Sequence, residues 1–483
     1  MSRKFAALVR PVAVAASLVL SGCVGLPPNA PRPELTDAST RASPVSFSAP
    51  PRDWPADDWW RAYGDPRLDA LVAEALAGSP DVASAAARLD KARAVAGQAR
   101  AALIPSLTAN GSVAEYRQSY NLGIPPMFVP HGYNDIGQVT LNFNYELDFW
   151  GKNRAALAAA TSEARASEAD AAEARLMLSS SVAAAYADLV RLFDERAVAL
   201  RAAVARQETL DLVTRRVANG ADTRGELEAA AAGPAAARAD LAETDEQIAL
   251  TRHRIAALLG QGPDRGLTIG APAMASPPAF GLPDTLAADL IGRRPDLVAA
   301  RWRAEAASRR IGQAKAQFYP DINLAAYIGF QALGLGRLFD AGSQIGQVGP
   351  AVSLPIFDGG RLRANLRGVR ADYAVAIASY DKTLAEALQQ VADAAASERA
   401  LASRLRESLA ALAADEEAYR IARLRYDGGL SDYQSVLLAE DTVLTARRTV
   451  VDLRARAFTL DIQLVQALGG GYRQDAGKTT LER

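Results

Sequence analysis

The chain has one cysteine, Cys23, and two histidines, His131 and His253, in 483 residues. A single cysteine excludes an intrachain disulfide and any paired-cysteine zinc site. The histidines stand 122 positions apart, so with no second thiol they offer neither a metal site nor a nucleophilic constellation. No G-x-x-x-x-G-K phosphate loop occurs. Net charge is −1, from 54 basic and 55 acidic residues, so no basic field exists to attract nucleic acid. No uninterrupted apolar stretch reaches 18 residues, which argues against membrane-spanning helices. These absences argue against an enzyme and against a cofactor. Any passage through a membrane would have to be made by a closed β-barrel.

The amino terminus reads as a processing signal over residues 1–22. Arg3, Lys4 and Arg10 precede an apolar run of about ten residues, too short to span a bilayer. The run closes on Leu20-Ser21-Gly22-Cys23, which looks like a bacterial lipobox. Cys23 is then the lipid-bearing (palmitate-type) first residue of the mature chain, in place of an incidental cysteine in an ordinary leader. Val24, where an Asp would favour inner-membrane retention, points to the outer membrane. Residues 23–65, rich in Pro, Ser and Ala at first, read as an extended, lipid-anchored segment.

After that the chain repeats itself. Ser79-Pro80-Asp81-Val82, Gln98-Ala99 and Ile104-Pro105 recur as Arg294-Pro295-Asp296-Leu297, Gln313-Ala314 and Tyr319-Pro320, each 215 positions later. Phe149-Trp150-Gly151 matches Phe357-Asp358-Gly359 at offset 208, and Arg216 and Gly220 match Arg425 and Gly429 at offset 209. One order at nearly one offset means a duplicated unit. The first repeat spans 66–270, with a helix, a hairpin over 106–149, a long helix over 152–219 and a return helix over 222–260. The second spans 271–470, with a helix over 284–319, a hairpin over 321–357, a long helix over 361–427 and a return helix over 431–469; residues 471–483 form a tail.

Within 139–149 every odd position is apolar or aromatic and every even one is polar, the mark of a strand with one greasy and one wet face. Ser106 to Tyr116 alternates more weakly, and 117–133 reads as a loop. In the second repeat Ile322, Leu324, Ala326, Ile328 and Phe330 alternate with their neighbours. Val348, Val352, Leu354 and Ile356 then share a face, weakened as a strand by Pro350 and Pro355. Four strands of about eleven residues have transmembrane length but cannot close a barrel, whose smallest form has about eight. Two chains would supply eight strands and three would supply twelve. Residues 152–219 hold no Gly or Pro, and as a helix they would be roughly 100 Å long. The spacing of Val182, Tyr186, Leu189, Phe193, Ala197, Leu200 and Val204 predicts a coiled-coil-like seam. Pro234 should kink the first return helix.

This order of elements, with the Cys23 lipobox, the Trp59-Trp60 … Asp65-Pro66 … Leu68 opening and the Trp150-Gly151-Lys152 turn, resembles the outer membrane factor family, lipoprotein branch. That resemblance implies a mainly α homotrimer in which twelve strands form a β-barrel continuous with an α-helical barrel. It implies an outer-membrane exit duct extending into the periplasm. Its partners would be a periplasmic adaptor (a membrane fusion protein) and an inner-membrane pump of the resistance–nodulation–division class, exporting drugs or other small molecules. It implies docking and gating at the helix turns, here Arg216, Val217, Gly220 and Asp222 in one repeat and Arg425, Tyr426, Gly429 and Asp432 in the other. Some members carry gate carboxylates six and nine positions after the second turn glycine, where this chain has Ser435 and Leu438; Asp432, Glu440 and Asp441 lie nearby. A type I protein-secretion duct and a periplasmic structural lipoprotein that never pierces the membrane are the alternatives.

Overall fold

The computed structural model describes residues 33–41, 45–121, 123–284 and 286–474. Cys23, the leader 1–22 and most of the tail lie outside the described residues. The elements are α1 (Pro66–Gly78), α2 (Pro80–Ala101), β1 (Ser106–Tyr116), β2 (Asn134–Glu146), α3 (Lys152–Ala218), α4 (Arg224–Leu258), α5 (Pro263–Leu267), α6 (Leu286–Arg293), α7 (Pro295–Ala316), β3 (Asp321–Leu333), β4 (Gln344–Ser353), α8 (Arg361–Asp427) and α9 (Tyr433–Ala467). The repeats match in length: α3 and α8 have 67 residues each, α4 and α9 have 35, and α2 and α7 have 22. The long helices start 209 positions apart, which aligns Gly151 (φ +74°) with Gly360 (φ +88°) and replaces the offset of 208.

Contacts divide the chain into two compact units. The first holds Leu89–Ala166 and Ala300–Ser379, and with them all four strands. They form one antiparallel sheet in the order β1-β2-β3-β4, so the two hairpins join through β2 and β3. Pro350 sits in β4 opposite Leu324, as a strand with an open edge permits. β2 starts at Asn134, earlier than the clean alternation indicated, and stops at Glu146. Leu147–Phe149 leaves the strand because the Asp148 carboxylate caps α3, accepting from the N–H of Asn153 (3.1 Å) and Arg154 (2.9 Å). Asp358 caps the start of α8, accepting from Gly360 N (2.9 Å) and Leu362 N (2.8 Å).

The second unit holds Leu35–Arg88, Ser167–Ala299 and Tyr380–Arg483. Its main core gathers Trp59, Tyr63, Leu68, Tyr186, Ile255 and Phe458. The expected seam along α3 holds only in part. Val182, Tyr186 and Leu189 are fully buried, but Val204 is 60% exposed and Leu200 is also exposed. Burial passes to the opposite side of the helix, where Val198 and Ala202 pack against Leu444 and Val451 of α9. Helix runs unbroken through Pro234. The single helix expected over 284–319 is instead α6 and α7. Arg294 separates them, and Pro295 opens α7 where its missing N–H costs nothing. α3 does contain a stretch long and apolar enough to cross a membrane, but most of it is buried within the chain, as befits an Ala-rich packing helix.

Asp65 shows how the opening segment is held. Its carboxylate, 3% exposed, accepts from Arg67 N (3.0 Å), Ala273 N (2.8 Å) and the Tyr186 hydroxyl (2.7 Å). Burial alone would raise its pKa, but the three donors outweigh it and hold the group below the usual carboxylate value. Because the folded pKa is depressed, this stabilisation is complete above the ordinary value of 3.8 and is lost as pH falls through the folded one. Asp65→Ala is expected to cost about 2–4 kcal/mol, from a lost cap and two stranded donors, measured as a drop in thermal midpoint at pH 7. That deficit should shrink below pH 3; an equal deficit at both pH values would refute the role.

Candidate functional site

The two helix turns are built alike. Gly220 and Gly429 take φ +71° and +72°, the left-handed conformation that ends a helix. Paired backbone bonds close each turn, Ala221 N to Arg216 O (2.9 Å) and Leu430 N to Arg425 O (2.8 Å). The return helices are then capped. Thr223 and Glu226 form a reciprocal capping box, and Asp432 accepts from Ser435 N (3.0 Å) and Ser435 Oγ (2.7 Å).

Chemically the turns differ. Arg216 Nε lies 3.0 Å from Asp222 Oδ2, and its Nη1 donates to Tyr426 O at 3.1 Å. Its guanidinium stacks 4.4 Å from the centre of the Tyr426 ring, whose hydroxyl donates to Asp222. Thus Arg216, Asp222 and Tyr426 tie the turn of one repeat to the turn of the other. At the equivalent places the second repeat has Ser431 for Asp222, and the first has Val217 for Tyr426. Arg425 is accordingly exposed and forms no ion pair among the described residues, while the buried Ser431 Oγ lacks a partner. Val217 packs instead against an apolar cluster of Val213, Ala230, Tyr426, Tyr433 and Val436.

The electrostatics favour the tie. Burial would raise the Asp222 pKa, but bonds from Arg216 and Tyr426 outweigh it and lower it. Burial, then the Asp222 charge, hold the Tyr426 phenol above its ordinary value, so it remains a donor. The tie is therefore present at neutral pH and fails only as pH drops below the usual carboxylate range.

The carboxylates beyond the second turn, Asp432, Glu440 and Asp441, are all engaged within the chain. Asp432 caps α9. Glu440, 4% exposed, and Asp441 both bind Arg206 of α3 at 3.1 Å. This second link between repeats gave no signal in the sequence, because its members are 234 residues apart. Gly233 faces the Arg206 stem, where an added Cβ would come within 3.4 Å of Cδ. Among the described residues no group of three or more His, Cys, Asp or Glu is placed to hold a metal ion.

A family model described as outer membrane efflux protein matches residues 71–261 and 286–470, once in each repeat. The fusaric acid resistance protein FusA of Burkholderia cepacia is 37% identical over 371 residues, 74% of this chain and 68% of its own length. The multidrug resistance outer membrane protein MdtP of Shigella flexneri is 32% identical over 434 residues, 87% of each chain. Among solved structures, the outer membrane protein VceC of Vibrio cholerae is similar at a TM-score of 0.82 and 44% identity, covering 87% of this chain and 100% of that one.

Asp222→Ala is expected to speed amide hydrogen exchange in both turns, since it cuts the bond between them. Asp432→Ala should affect only the second turn. Faster exchange confined to residues 219–227 in the Asp222 variant would show that no tie between repeats exists.

Proposed function

The chain belongs to the outer membrane efflux protein family, matched across both repeats, and we propose that it is the outer-membrane exit duct of a tripartite efflux pump. One observation carries this reading. The sheet lays a broad apolar face open: Leu107, Val113, Ile328, Val348 and Val352 are each more than 60% exposed. Such a face suits hydrocarbon. Among the described residues the outer edges of β1 and β4 have no partner strand, and an open edge cannot stand in lipid. Neighbouring copies complete the sheet, three chains giving a twelve-stranded barrel, and the long helices continue it as an α-helical passage into the periplasm. Cys23 carries the lipid that anchors the chain to the outer membrane.

The duct has no chemistry of its own and passes solute passively. The adaptor docks at the turns around Gly220 and Gly429, and the energy comes from an inner-membrane pump of the resistance–nodulation–division class. The resting state is held by the Arg216–Asp222–Tyr426 tie. A hydrogen bond to a charged group contributes about 1.5–3 kcal/mol, so three copies of the tie contribute about 5–9 kcal/mol. Reversing a two-state population from 1:99 to 99:1 takes about 5.5 kcal/mol of differential binding. An adaptor gripping the open turns can therefore supply what opening requires. Relatives named for multidrug and fusaric acid resistance favour small molecules over protein as cargo.

Detergent-extracted protein is expected to run as a trimer and to conduct in planar bilayers. Monomeric, water-soluble material would end this reading. Asp222→Asn and Tyr426→Phe should raise the open fraction in bilayers. A bulky residue at Gly429 strains a left-handed position and should abolish adaptor capture and drug resistance at normal trimer levels. Unchanged drug susceptibility in that variant would remove the docking role.

A further inference from the structure

The four strands contain Glu115, Asp135, Glu146 and Asp321 and no Lys or Arg. Register divides these carboxylates between the two faces. Ser106 faces Asn144, Thr108 faces Asn142, Asn142 faces Tyr327 and Tyr327 faces Gln347, so one face of the sheet is a row of hydroxyls and amides. Its only charged members are Glu146, opposite Asn323, and Asp321, two residues before Asn323. Both sit at the end of the sheet where the long helices begin. Glu115 and Asp135 stand opposite each other on the other face, at the far end.

Lys152, the first residue of α3, reaches both wet-face carboxylates. Its Nζ lies 2.7 Å from Glu146 and 3.0 Å from Asp321. The adjoining Trp150 fixes this corner, donating from Nε1 to Pro320 O at 2.9 Å and stacking on Tyr319 at 4.7 Å. Two carboxylates and one ammonium leave a net charge of −1. The side chains of Lys152, Glu146 and Asp321 remain 22%, 25% and 46% exposed, so their field reaches water. The other hairpin lacks the cluster. Pro355 and Arg361 stand 209 positions after Glu146 and Lys152, and Ser106 stands 215 before Asp321.

We propose that Glu146, Lys152 and Asp321 set the ion preference of the strand-lined passage. The proposal rests on the trimeric duct reading. Three copies place a ring of three net negative charges where the helical passage meets the barrel, and beyond it the strand wall is neutral. The ring favours cationic and neutral polar solutes over anions, and the neutral wall then passes whatever has entered. The field is short-ranged: the screening length is about 10 Å at 0.1 M salt and about 3 Å at 1 M.

The test is the reversal potential of bilayer-inserted protein under a KCl gradient centred on 0.1 M. The native chain should prefer cations. Lys152→Gln doubles the net charge of the cluster and should strengthen that preference. Glu146→Gln cancels it and should bring the permeability ratio to about 1, and Glu146→Gln with Asp321→Asn should invert the preference. All variants should converge at 1 M KCl, where the charges are screened. Should Glu146→Gln fail to assemble, Asp321→Asn makes the same charge change at the more exposed member. Channels whose reversal potential is the same in every variant at 0.1 M would overturn this assignment and leave the duct intact. Absence of any channel in the native protein would instead overturn the duct reading.

Discussion

The architecture depends on hydrogen bonds that one chain cannot make. Among the described residues β1 is paired only with β2, and β4 only with β3, so each carries an outer row of N–H and C=O groups with no partner strand there. In water such an edge is a liability; in hydrocarbon each unmet group costs several kcal/mol. The greasy face of the same sheet makes water the wrong solvent. In the proposed duct both problems have one remedy, which is more copies of the same sheet. Folding of the strand region and association would then be a single event, with its stability belonging to the assembly rather than to the protomer.

Duplication explains the scaffold, and divergence explains its chemistry. Helices of 67 and 35 residues recur at one offset with the same glycine turns. The partners that decide which bonds form between the repeats are residues in which the copies differ. Asp222 faces Ser431 in the alignment of repeats, Tyr426 faces Val217, and Lys152 faces Arg361. A symmetric pair of turns would hold both arginines or neither. This one holds Arg216 and leaves Arg425 exposed.

Periodicity exposed the elements because it reports local geometry. Alternation over 139–149 and the Gly- and Pro-free run after Lys152 are properties of neighbours in sequence. Element ends and long-range pairs followed other rules. Strand β2 ended early because Asp148 was needed as a cap, and the buried side of α3 changed after Leu189 because Leu444 and Val451 of α9 cover its opposite face at Val198 and Ala202. The turn glycines could be read from sequence, whereas the tie between Arg216 and Tyr426 could not, since a distance of 210 residues leaves no spacing to recognise. The Arg206 link to Glu440 was hidden for the same reason.

The equal lengths of the paired helices have an evolutionary corollary. Removing one residue from α3 alone would draw its turn back by about 1.5 Å and swing it through about 100°, parting Arg216 from Tyr426. Such a lineage can change its reach only by gaining or losing near-integral turns in both halves at once. The reach of the paired helices is therefore inherited in discrete steps.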